Sequence, residues 1–163
     1  VGRANYPPLL YMPHKHLEDC QNIIVKKNNI WANITGRPFA VGKTIRIPSK
    51  LIRNADEYKA RMTHFVAHIY QCKFSSLYGW FVFVPKWLLS RKFRAICEMP
   101  AFWDQMECYR DCSGLMIIKE KMHETLVKKY YGAFTDNLAS AFIHAFEMKR
   151  NVKDWKKFYE ENL

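Results

Sequence analysis

The sequence predicts an α+β fold in one domain, with a small antiparallel sheet preceding a mainly helical remainder. Three observations carry this. Short β-prone runs separated by turn residues fill 23–48, apolar residues at helical spacing take over after Pro48, and no repeat or flexible linker divides the chain. With 163 residues, 49% of them hydrophobic and 15% aromatic, the chain can bury one core, and a disordered protein is excluded.

Residues 1–22 are rich in proline and read as an extended N-terminal arm. Ile23-Ile24-Val25 reads as a first strand, and Lys26-Lys27-Asn28-Asn29 as a turn. Ile30-Trp31-Ala32-Asn33-Ile34-Thr35 is predicted to be the next strand, ended by Gly36-Arg37-Pro38. Phe39-Ala40-Val41 and Thr44-Ile45-Arg46-Ile47 flank Gly42-Lys43, and Pro48 closes the run. Beyond it, Asn54 or Asp56 caps a predicted helix to about Lys73, with an apolar stripe of Tyr58, Met62, Phe65, Val66 and Ile69. Further helices are expected over 76–90, 98–112, 115–131, 136–149 and 152–161, so that 113–163 forms a C-terminal helical extension. The segment 77–89 is the most apolar, but it falls short of the roughly 20 residues that a bilayer span needs. It reads as a buried helix over the core, with contact to a membrane surface or a partner as the alternative.

Lys and Arg total 26 against 15 for Asp and Glu, a net charge of +11. This excess favours an anionic macromolecule or a protein assembly as partner. Lys26, Lys27, Arg37, Lys43 and Arg46, with Lys50 and Arg53, lie through the predicted sheet near Trp31 and Phe39, where they could meet phosphates and stacked bases. A second basic run, Lys149, Arg150, Lys153, Lys156 and Lys157, interleaves with Trp155 and Phe158. The bland alternative for both is a solvated face with aromatics in the core. Five irregularly spaced cysteines read as reduced thiols; Cys108 and Cys112 share a helix face and either pack or assist a metal. Pro7, Pro8, Pro13, His14, Lys15 and His16 stand where a secretory signal would need an apolar run, so a cytoplasmic location is expected.

His64 and His68, four apart on a predicted helix, project from nearly the same face and can meet one metal ion. Glu98, read as the start of the helix over 98–112, is a candidate third ligand; its alternative is a carboxylate favoured by a helix N-terminus. His14 and His16, two apart in the extended arm, either bind metal weakly or bind nothing, and His123 and His144 read as hydrogen-bonded helix residues.

The order of these segments carries a resemblance. The stretch Ile34-Thr35-Gly36-Arg37-Pro38-Phe39-Ala40-Val41-Gly42-Lys43-Thr44-Ile45 resembles the strand pair before the active helix of small zincin-type metallopeptidase-like proteins of bacteria and phages. Thr63-His64-Phe65-Val66-Ala67-His68-Ile69-Tyr70-Gln71 then resembles the helix carrying H-E-x-x-H. Phe93-Arg94-Ala95-Ile96-Cys97-Glu98-Met99-Pro100-Ala101 resembles the Arg-containing E-x-x-A stretch that supplies the third ligand. The resemblance spans about residues 30–112. It implies a zincin-like fold and a zinc ion held by His64, His68 and Glu98 with a fourth position open, a vestigial site without metal being the alternative.

Phe65 stands where the family places its general base, and phenylalanine can neither take a proton from water nor deliver one to a leaving amine. The resemblance therefore implies a degenerate, non-catalytic domain serving as a structural or binding module, in keeping with a phage or virion component. An active zinc peptidase would need a relocated base. Asp104 and Glu107 sit about 120° and 180° around the helix from Glu98, and Tyr70, Tyr109 and His123 are poor substitutes. A basic nucleic-acid-binding module, with the histidine pair coincidental, is the third reading.

Overall fold

In a computed structural model of the chain, the structure describes residues 24–27, 29–35, 39–41, 44–52, 55–73, 76–110, 115–130 and 132–163. The fold is α+β and mostly helical. Its elements run β1 (Ile24–Lys26), α1 (Ile30–Thr35), β2 (Phe39–Val41), β3 (Thr44–Arg46), α2 (Ser49–Ile52), α3 (Ala55–Lys73), α4 (Ser76–Leu89), α5 (Arg91–Glu107), α6 (Leu115–Lys129), α7 (Asp136–Glu147) and α8 (Trp155–Glu161).

The sheet departs from the expected antiparallel one. Its order is β1-β3-β2, and β1 runs parallel to β3, pairing Val25 with Ile45 and Lys26 with Arg46. Only the β2–β3 pair is antiparallel, with Ala40 opposite Ile45. The cause lies at 30–35, predicted as a strand and found as the helix α1. Asn29 accepts from the Ala32 amide through its side chain (3.3 Å) and from the Asn33 amide through its carbonyl (2.8 Å), which starts a helical turn. With a helix there, β1 has no adjacent strand to fold back on, and the chain crosses over before β3 returns alongside it. Asn33 then accepts from the Ser49 amide at 2.8 Å and ties α1 to the start of α2.

The stripe predicted for α3 faces this sheet. Met62, Val66 and Ile69 are buried with Ile45 and Ile47, and Val25, Tyr58 and Phe65 pack at the edge. A second and larger cluster surrounds α5. There Ala95, Met99, Phe102, Trp103 and Met106 meet Met122 and Leu126 of α6, Leu138, Phe142 and Phe146 of α7, and Trp155, Phe158 and Tyr159 of α8. Trp103 is its hub, edge-on to Phe142, Phe146 and Trp155 at centroid distances of 5.8, 5.1 and 5.5 Å.

Helix α5 begins at Arg91, seven residues before the expected start. Ser90 is its N-cap and accepts from the Phe93 amide at 3.2 Å. Glu98 consequently lies in mid-helix, and the reading of it as a first-turn carboxylate falls. Ser90 is also the whole link between α4 and α5. The buried Arg94 guanidinium braces that corner by donating to the carbonyls of Trp87 and Leu88, and at 3.4 Å to that of Tyr130.

Candidate metal centre

Helices α3 and α5 make the most extensive contact between described elements, and that contact places the histidine pair against Glu98. One helical turn separates His64 from His68, so both rings leave α3 on the face that meets α5. His64 is 6% exposed and Glu98 2%, while His68 is half-buried. The Nε2 atoms of the two histidines are 3.1 Å apart. Glu98 Oε2 lies 3.4 Å from His64 Nε2 and 3.3 Å from His68 Nε2.

Three ligand-type atoms thus form a nearly equilateral triangle. Tetrahedral coordination with bonds of about 2.0–2.1 Å separates its ligand atoms by about 3.3–3.4 Å, so these edges match what one ion would impose. The donor chemistry agrees. Gln71 donates its amide to the Cys97 carbonyl at 2.8 Å, which turns its oxygen toward His68 Nδ1 at 2.9 Å. An oxygen can only accept, so Nδ1 of His68 carries the proton and neutral His68 presents an Nε2 lone pair to the centre. Trp87 of α4 donates its indole N–H to Glu98 Oε1 at 2.8 Å, leaving Oε2 to face the imidazoles. Among the described residues neither Glu98 Oε2 nor His64 Nδ1 has a hydrogen-bond partner. A buried carboxylate oxygen in that position is costly unless a proton or a cation joins it. The His64–His68–Glu98 group can hold a metal ion, and it is the only such group of three among the described residues.

Titration follows the same geometry. Burial lowers His64 below the ordinary histidine value, and the carboxylate beside it does not make up the loss. Burial also acts against the charge on His68, but Glu98 and Gln71 outweigh it and leave His68 raised. Burial alone would raise Glu98; the two imidazoles reverse that and hold it well below the usual carboxylate range.

Neither a family model, a curated protein nor a solved structure is similar to this chain.

The remaining candidates separate from the centre. Phe65 packs toward the sheet cluster, with its ring edge-on to His64 at 5.7 Å. Glu107 is forked by the Arg110 guanidinium. Asp104 is held up to about 7 by burial and by the neighbouring Glu107 charge, but it is no member of the His64–His68–Glu98 group. His123 meets Ser140 and Asp136, and exposed His144 lies 4.0 Å from Glu147. Cys108 contacts Thr63 Oγ1 at 3.4 Å, whereas Cys112, His14 and His16 lie outside the described residues.

Of the basic set, Lys26 and Lys27 are exposed, and Arg46 is the register partner of Lys26 on the neighbouring strand. Arg37, Lys43 and Arg53 lie outside the described residues. Trp155 and Phe158 are buried in the α5 cluster and cannot stack on bases, which removes the aromatic half of the C-terminal basic run. Sequence reasoning missed Gln71, Trp87 and the Cys97 carbonyl. Gln71 carried a usable signal, an amide one turn beyond a candidate ligand; Trp87 reaches Glu98 only through the α4–α5 corner and carried none.

Proposed function

We propose that this chain is a degenerate zinc metallopeptidase-like domain, in which His64, His68 and Glu98 hold zinc for structure or binding rather than hydrolysis. The observation that carries the reading is the 3.1–3.4 Å triangle of Nε2, Nε2 and Oε2 atoms. Zinc held by three protein ligands supplies a Lewis acid with one open position. Two features speak against turnover. Phe65 leaves the residue after the first histidine without a group that could accept a proton from water, and Trp87 closes over Glu98 in a centre whose ligands are largely buried. In this reading the metal clamps α3 to α5, and the basic surface serves an anionic partner.

Metal analysis of the untagged protein by mass spectrometry tests the ligands. One zinc per chain is expected, and none in His64→Ala/His68→Ala. Absence of zinc after loading of the unaltered protein would overturn the metal centre. Phe65→Glu tests the chemistry: the zinc-loaded variant is expected to lose about 1–3 kcal/mol of stability through the carboxylate set into an apolar cluster and to leave a peptide library uncut. Zinc-dependent cleavage by the unaltered protein would refute the non-catalytic reading.

A further inference from the structure

Over 81–89, the part of the expected buried helix whose side chains are described, only one side is buried. Phe81 is 80% exposed, Leu88 58% and Leu89 85%, and Pro85 is exposed between them. Spaced i, i+4, i+7 and i+8, these four residues form one stripe along α4. The other side is already used: Phe83 meets the Phe93 ring edge-on at 5.4 Å, and Trp87 bonds Glu98. Helix α4 is therefore apolar on two faces and partnered on one.

The charge around it is one-sided. From Tyr58 to Cys97 the chain has no Asp or Glu, while Lys59, Arg61, Lys73, Lys86, Arg91, Lys92 and Arg94 all fall there. Lys86 sits within α4 with its ammonium 5.3 Å from the Phe93 ring, and Arg91 begins the next helix. Both are exposed, and no carboxylate among the described residues pairs with either. Lys92 differs, being bonded to Glu160 at 2.6 Å. An aliphatic and aromatic stripe with uncompensated cations at its end fits a surface that is apolar beneath and anionic at its polar boundary. A second copy fits less well, because it would bring another +11 charge against the first. No described helix is long and apolar enough to cross a membrane, so contact through this stripe is in the plane of the surface.

We propose that the exposed stripe Phe81–Pro85–Leu88–Leu89 of α4, flanked by Lys86 and Arg91, docks this protein on an anionic lipid surface. Arg94, bonded to the carbonyls of Trp87 and Leu88, holds the helix end in place beforehand, so docking needs no folding step.

Sedimentation of the full chain with vesicles of phosphatidylcholine alone, or of phosphatidylcholine mixed with phosphatidylglycerol, tests this. The protein is expected to partition onto the phosphatidylglycerol vesicles and to be partly released by salt. Phe81→Ser/Leu89→Ser is expected to lower that partition roughly tenfold or more, with an unchanged circular dichroism spectrum because both side chains are exposed. Lys86→Gln/Arg91→Gln is expected to remove the preference for phosphatidylglycerol. Met148→Ser, at an exposed apolar residue elsewhere, is expected to change nothing. Equal partition of the Phe81/Leu89 variant would make binding a matter of net charge and overturn the proposal. So would absence of binding to both vesicles, or a dimer in sedimentation velocity that only this variant dissociates.

Discussion

Trp87 sets the coordination available to Glu98. Its indole N–H engages Oε1 at 2.8 Å, so the carboxylate can offer the centre one oxygen and not two. Trp87→Phe keeps the aromatic volume and deletes the donor, and loss of such a supporting bond typically costs 10–100-fold in metal affinity. Competition with a chromophoric chelator should show zinc affinity weakened by roughly that range; unchanged affinity would mean that the indole only packs. Asp104, on the same helix, makes a separate prediction. Its carboxyl is raised from 3.8 to about 7 by burial and then by Glu107, so the folded protein keeps a proton that the unfolded chain releases. Below the unfolded value both states are protonated and nothing is lost. Between pH 4 and 7 the unfolded state sheds its proton first, and stability falls as pH rises. Full linkage would be about 4 kcal/mol, and partial solvent access brings it to about 1–2 kcal/mol. Asp104→Asn should therefore be more stable than the unaltered protein by about 1–2 kcal/mol at neutral pH, with the gain gone near pH 4. Urea unfolding at the two pH values checks it, and an equal difference at both would exclude a titrating Asp104.

Helix ends decide how much of the fold was legible. The long amphipathic elements were readable because their apolar spacing is set by burial, as the stripe Met62, Val66 and Ile69 on α3 shows. The misread elements turn on single capping residues. Asn29 converts a β-prone run into α1, and Ser90 starts α5 a turn and more before Glu98. Neither residue stands out in composition, because its effect depends on where its neighbours' amides point. The grouping of His64, His68 and Glu98 was legible for a similar reason. His64 and His68 are linked by one helical turn, a local relation, and Glu98 by the motif order, whereas Trp87 depends on how α4 folds back on α5. Helix α7 ends on a residue that the sequence does not favour. Lys149 has φ 51, its amide donates to the Phe146 carbonyl at 3.1 Å, and that of Arg150 to Ala145 at 3.0 Å. This is the paired closure that glycine adopts without strain. Lys149 is exposed, so Lys149→Gly removes strain without removing packing. It is expected to raise stability by about 0.5–1 kcal/mol in thermal unfolding; a loss would show that the lysine side chain contributes more than its backbone costs.

At the scale of the whole molecule, the described residues form two apolar clusters, and the histidine–glutamate group lies where they meet. Helix α3 carries Met62, Val66 and Ile69 into the sheet cluster and His64 and His68 into the seam. Helix α5 carries Met99, Phe102 and Trp103 into the larger cluster and Glu98 into the same seam. Without an ion the seam keeps a buried carboxylate oxygen and a buried imidazole nitrogen that lack partners among the described residues, which is a cost to docking one layer on the other. With one, the ion would bridge His64 and His68 of α3 to Glu98 of α5, and Oε2 would gain the partner it lacks, so the carboxylate would favour docking. Zinc at a hundred times its dissociation constant adds about 2.7 kcal/mol, and that gain should not be shared evenly. The α5 cluster, with Trp103 among Phe142, Phe146 and Trp155, is large enough to persist by its own burial. Among the described residues the sheet layer has fewer buried side chains, and it is expected to depend more on the seam. Chelation should therefore speed amide hydrogen exchange in α3 and β3 well before α5 and α7, and His64→Ala/His68→Ala should exchange like the chelated protein without responding to chelator. A uniform acceleration would mean that the two layers open as one unit. Protection unchanged in α3 would mean that the metal, if bound, does not hold the layers together.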